Sequence, residues 1–151
     1  MSRKIFIILT AILLIFFAFI NYADHFVKNP LPLQQLQVGG ANLLVDVADT
    51  PEKRERGLSG RSNLADNQGM LFVFNSSLVP GFWMKDMHFS LDMIWIDQNW
   101  TIVGVTKNIP PSSYPQTFQP PSPILYTIEV NAGWADRNKI SVGEKISPVY
   151  R

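Results

Sequence analysis

The chain opens on a block with no polar face. After Ser2-Arg3-Lys4, the sixteen residues from Ile5 to Ile20 carry no charge and a single hydroxyl, Thr10. As a helix this run is about 24 Å long, and about 28 Å if it continues to Ala23, against a hydrocarbon core of roughly 30 Å. It lacks the amphipathic stripe of a soluble core helix. The run predicts either an uncleaved anchor, whose N-terminus Arg3 and Lys4 hold in the cytoplasm, or a cleaved secretory signal. The candidate cleavage site, Asn21-Tyr22-Ala23, places Asn where a small residue belongs, which favours the anchor. Residues 1–23 are therefore expected to be a signal-anchor or signal peptide. Residues 24–33, broken by Pro30 and Pro32, are expected to be a stalk.

From residue 34 the pattern shortens. Gln34 to Val38 and Ala41 to Ala48 flank Gly39-Gly40, and Leu43, Val45 and Val47 alternate with Leu44 and Asp46, which predicts a hairpin on a tight Gly-Gly turn. Asp49, Pro51 and Glu52 predict a short capped helix that Gly57 stops, with Lys53-Arg54-Glu55-Arg56 as its solvated face. Met70 to Phe74, an unbroken apolar run, predicts a strand covered on both faces. Leu91 to Ile96, Thr101 to Thr106, Ile124 to Val130 and Lys145 to Val149 read as further strands, and Trp134 to Lys139 as a turn or two of helix. Residues 110–123 hold six of the eleven prolines, so they predict an extended lid or binding arm. The expected fold is mainly β (α+β): one domain over 34–151, a compact barrel-like or strongly curved sheet with one or two short helices.

Composition narrows the chemistry. The 151 residues are 46% apolar and 17% charged, with no Cys, which excludes global disorder, a disulfide framework, a Cys-ligated zinc site and a thiol nucleophile. Setting aside Arg3 and Lys4 leaves 11 basic against 12 acidic side chains, so nucleic acid is not an expected partner. Gly57-Leu58-Ser59 is followed by Gly60-Arg61 and fails the nucleophile-elbow pattern. His25 and His88 are too few and too far apart for a His metal site, so no metal and no cofactor are expected.

The segments Val45 to Pro51, Gly57-Leu58 and Arg61, Gly69 to Phe74, Phe82-Trp83-Met84-Lys85, Leu91-Asp92 and Ile128 to Trp134 stand in a fairly specific order and spacing. In them the chain resembles the prokaryotic domain of unknown function 192 family, from about Val45 to about Ile146. The resemblance implies a small β-rich domain, often exported behind a signal segment, with no settled activity. The family tends to have Asn-Thr after Trp-Met-Lys and Pro before Leu-Asp; here those places hold Asp86-Met87 and Ser90.

The charges beside apolar strands are Lys85, Asp86, Asp92 and Glu129, each of which must face water or find a partner. Lys85 and Asp92 flank one connection, so an ion pair between them that fixes strand register is expected, with Glu129 as a third member. The competing reading makes them the polar patch of a cleft walled by Trp83, Met84, Trp95 and Trp134 under the proline-rich segment. Candidate ligand-binding residues are thus Trp83, Met84, Lys85, Asp86, Asp92, Glu129 and Trp134. Two carboxylates could also serve as acid and base on a glycosidic bond. Trp100, in a turn, is expected to stand exposed to a partner or the membrane interface.

Three functions follow. The first is a membrane-tethered extracytoplasmic binding or accessory module, held by residues 5–23 and recognising a small ligand, a glycan or an envelope protein. The second is a carboxylate-based, glycan-acting hydrolase of the envelope, and the third a structural envelope protein. The expected location is the cytoplasmic membrane, single-pass with the domain outside the cytoplasm, or the periplasm after cleavage.

Overall fold

The computed structural model describes residues 34–149, so the membrane segment expected over 1–23 and the stalk over 24–33 lie outside the described residues. In chain order the described elements are β1 Gln34–Val38, β2 Ala41–Ala48, α1 Pro51–Arg56, β3 Gln68–Leu78, β4 Phe82–Trp83, β5 Leu91–Ile96 and β6 Ile102–Ile109. A 3-10 turn at Pro111–Ser113 follows, then β7 Thr117–Phe118, β8 Ile124–Asn131, α2 Trp134–Arg137 and β9 Ser147–Val149. None of the described helices is long and apolar enough to cross a membrane.

The Gly39-Gly40 turn forms as expected. Both glycines have positive φ, 57° and 83°, and Val38 faces Ala41 across the hairpin. Seven strands make one sheet in the order β6-β5-β8-β3-β2-β1-β9, antiparallel except for the β2–β3 pair. The crossover between those parallel strands carries α1. The sheet curls into a half-barrel. Thr101 bridges Lys145, Ile102 N–H donates to Glu144 O and Ile146 N–H to Trp100 O, which ties the start of β6 to the chain entering β9. Those bonds occupy polar backbone that an open edge would expose.

The curl gives the sheet two unlike faces, both apolar. On the inner face Leu36 and Val38 from one end of the strand order join Ile94, Ile128, Val130 and Ile102 from the other in one cluster, closed by Trp134, Ala135 and Ile146. On the outer face Met70, Phe72, Leu91, Met93 and Trp95 are covered by Leu58, Leu64, Phe82 and Met84. Strand β5 is therefore buried along its whole length, and β3 over Gly69 to Phe72. That is why both segments read as unbroken apolar runs rather than alternating ones.

Residues 110–123 belong to the outer cover. Phe118 and Thr117 of β7 pair with Phe82 and Trp83 of β4. Pro121 lies so close to β6 that a Cβ on Gly104 would sit 2.9 Å from its ring, beside Trp95. Trp100 also departs from expectation. It is half-buried against the inner cluster and stacks on Tyr126, centroids 4.0 Å apart at 19°, because its positive φ of 60° turns the ring back over the sheet.

Candidate functional site

The segment Val47 to Leu58 builds one wall of a cleft on the outer face. Thr50, rather than the expected Asp49, caps α1 by accepting from Lys53 N–H at 3.3 Å; Asp49 instead takes the Lys53 ammonium at 2.7 Å. Gly57 ends the helix at φ 50°, and its missing Cβ matters twice, since a Cβ there would press on the Phe72 ring at 3.3 Å. Arg54 reaches across from α1. Its Nη1 donates to Asp49 O at 2.8 Å and Val73 O at 2.9 Å, and its guanidinium lies 5.4 Å from the Phe74 ring centre.

The opposite wall is β4. Phe82 meets Phe72, Phe74 and Trp95 edge to face, at 5.0, 6.3 and 5.3 Å between centroids, and β7 clamps the strand from behind. Ser59 Oγ donates to Lys85 O at 2.8 Å and Gly60 N–H to Asp86 O at 2.9 Å, so the end of the α1 segment is tied to the turn after β4. Asp86 has a φ of 56° in that turn. Asp and Asn both tolerate this left-handed conformation, so the chain's departure from the resembled pattern at this position leaves the backbone demand met.

Between the walls is a cavity of about 200 Å³, lined by Phe72, Phe74, Phe82, Trp83 and Met87, with Glu129 among its lining residues. A shallower depression of about 330 Å³ adjoins it around Trp83, Arg56 and Ser59, and adds Glu52, Lys85 and Asp86.

Glu129 is 5% exposed, and loss of water pushes its carboxyl up to about 8 from 4.5, with no hydrogen bond or ion pair from a described residue to offset it. On β8 it faces Met70 of β3 on one side and Met93 of β5 on the other. Two residues along the same face, Thr127, fully buried between Phe72 and Trp95, leaves its hydroxyl without a partner among the described residues. One polar stripe of β8 thus runs beneath an apolar cover with its hydrogen-bonding capacity unspent.

Asp92 is elsewhere. Cross-strand neighbours share a face, and Asp92 faces Val130 whereas Glu129 faces Met93, so the two carboxyl groups project from opposite sides of the sheet. The expected triad of Lys85, Asp92 and Glu129 is therefore corrected. Asp92, 0% exposed, accepts Asn108 N–H at 2.8 Å on Oδ1 and Ala135 N–H at 3.0 Å on Oδ2. It does fix register, but by holding a β6 residue with φ 55° and the first turn of α2, not by pairing with Lys85, which is exposed.

Of the seven candidates, Trp83, Lys85, Asp86 and Glu129 come together around the cleft and its vestibule. Met84 is buried beneath the turn at 1% exposure, and Trp134 packs on the inner face with Asp92's side of the sheet. Trp95 is buried in the outer core, its Nε1 donating to Thr106 Oγ1 at 2.9 Å. No residue of 110–123 lines the cleft; the expected overhang is replaced by the support β7 gives to β4. Sequence reading missed Arg54, Phe72, Phe74, Phe82 and Met87 as lining residues. Arg54 looked like one charge in a solvated run and the phenylalanines like core, and only the Gly57 that follows hinted at a close approach. Among the described residues, no three His, Asp or Glu side chains are grouped to hold a metal ion.

Fold and cleft together define a small, mainly β domain whose inner face is closed by packing and whose outer face is opened by one aromatic-walled cavity. The DUF192 family model, an uncharacterized ACR, matches residues 34–148, and the chain belongs to that family. Two solved structures are similar to it. One, from Sinorhizobium meliloti 1021 and provisionally described as a transcription regulator, shares 29% identity over 80% of this chain and 98% of its own, with a TM-score of 0.72. The other, a protein of unknown function from Novosphingobium aromaticivorans DSM 12444, shares 26% identity over 77% of this chain and 83% of its own, with a TM-score of 0.70. No curated protein matches the chain significantly.

Proposed function

We propose that this domain is a non-catalytic binding module of the cell envelope, tethered through residues 5–23, and that a small molecule seats in the cleft over Glu129. The observation that carries the reading is the Glu129 carboxyl, buried and unpartnered beside an open cavity. Burying such a group without a partner costs several kcal/mol, roughly, which scaffolding does not require and a ligand would offset. Size argues for a metabolite over a glycan or protein: about 200 Å³ is below the usual range for drug-sized ligands and far below an oligosaccharide groove. Of the carboxylates a hydrolytic reading could use, Asp92, Glu129 and Asp86, it loses Asp92, which lies on the opposite face from Glu129 and cannot flank one bond with it.

The test is a thermal-shift screen of the full chain in maltoside micelles against metabolites and oligosaccharides, repeated with Trp83→Ala and Glu129→Gln. Metabolite hits that both variants lose support the reading. Hits indifferent to both variants, or none at all, overturn it, and hits confined to oligosaccharides return the glycan alternative.

A further inference from the structure

Resting on that cleft being a binding site, we infer that its ligand is a small organic ammonium ion, a primary or methylated amine whose cationic head sits on the Glu129 carboxylate among the phenylalanine rings.

Three observations converge. The first is the demand of the cleft: Glu129 is the one ionisable side chain there that is both buried and unpartnered among the described residues, and a cation is the partner that makes an ionised carboxylate favourable where water is scarce. The second is the wall. Phe72, Phe74 and Phe82 offer π-systems and no donors, a poor cradle for an anion and a suitable one for an alkylammonium, whose methyl and methylene groups carry its charge outward. The guanidinium of Arg54 beside Phe74 shows a cation already accommodated against one of these rings. Arg54 is held from the other side, its Nη1 on the carbonyls of Asp49 and Val73, and it makes no ion pair with Glu129.

The third is the charge at the mouth. Glu52, Glu55 and Asp86 face Arg56 and Lys85 around the vestibule, an excess of one acid, and none of the five forms an ion pair with another described residue. The charged groups lining the cleft itself, besides Glu129, are Arg54, Glu55 and Arg56, all from the α1 side; β3 and β4 contribute only apolar side chains. An anionic ligand could be met by the arginines of the α1 side but would leave Glu129 unserved. Because the Glu129 carboxyl holds its proton near neutral pH, an ammonium that binds there displaces that proton to the buffer, whereas a carboxylate ligand would retain it.

The full chain in maltoside micelles, labelled at its methionine methyls, tests this. Choline, its neutral carbon isostere 3,3-dimethylbutanol and the anion trimethylacetate are titrated at constant ionic strength. Met87 reports from the cleft wall and Met70 and Met93 from either side of Glu129. Choline is expected to shift these methyls where the other two do not, to bind about tenfold or more weakly to Glu129→Gln, and to release protons, read as a binding enthalpy that changes with the buffer near neutral pH. Equal or stronger shifts from the neutral or anionic probe overturn the ammonium assignment and leave the binding site standing. No shift from any probe overturns both.

Discussion

Asp92 and Glu129 occupy neighbouring rungs of the same β5–β8 ladder, and both are almost wholly out of water. They differ in what meets them. Asp92 points into the inner face, where Asn108 and Ala135 each supply a backbone N–H. Glu129 points into the outer face, where methionine and phenylalanine surround it and nothing described donates to it. A buried carboxyl met by two N–H groups is a joint: it orders the β6 bulge and the start of α2 at once. A buried carboxyl met by nothing is a standing cost, kept beside the cavity that opens this face. Residue type and burial alone would have assigned both the same role; the difference lies entirely in their partners.

The largest effect should come from breaking the joint. Asp92→Ala strands two buried N–H groups, and urea unfolding should show a loss of about 3–5 kcal/mol. A loss below about 1 kcal/mol would mean that Asn108 and Ala135 find other acceptors and that the joint is not what holds α2.

Glu129 should behave in the opposite sense. Below pH 4.5 folded and unfolded chains both hold its proton; from there to about 8 only the folded chain does. The native state thus binds the extra proton in that window, so stability falls as pH rises through it and levels off above. Glu129→Gln should remove this slope, leaving the variant more stable than the parent by on the order of 3 kcal/mol at about pH 9 and equal to it at about pH 4. Parallel stability curves for variant and parent across that range would show that Glu129 has a partner or water enough to ionise freely.

The smallest stability effect isolates the cleft. Trp83 is 44% exposed on its wall, so Trp83→Ala should move the unfolding free energy by no more than about 0.5 kcal/mol. If the melting temperature drops as it does for a core aromatic, Trp83 belongs to the cover of the outer core rather than to a binding wall.

Much of the scaffold was legible because it depends on local signals. Gly39-Gly40 meets a conformational demand few other residues satisfy, and the hairpin follows. Gly57 stops α1 for a related reason. The apolar runs at Met70 and Leu91 announce strands covered on both sides. Less legible was anything set by distant residues. Strand β3 runs on to Leu78 past the polar Asn75-Ser76-Ser77, because Leu78 pairs with Ile124 across a bulge. Trp100 looked like an outward-facing turn residue until Tyr126 lay beneath it. Lys85 and Asp92 were expected to pair because they are close in the chain, yet Asp92 is claimed by residues 16 and 43 positions away.

The amino-acid order by itself settled that this domain is built of curved, mainly β structure with short helices, since periodicity, glycine and proline act over a few neighbouring residues. It also confined the chemistry to a few charges beside apolar strands, because a charge among such residues must be accounted for whatever the fold. The tertiary structure alone decided which charge became a joint and which was left without a described donor. A carboxyl's role depends on donors brought by register and curl from elsewhere in the chain, and a one-residue step along a strand exchanges one face for the other.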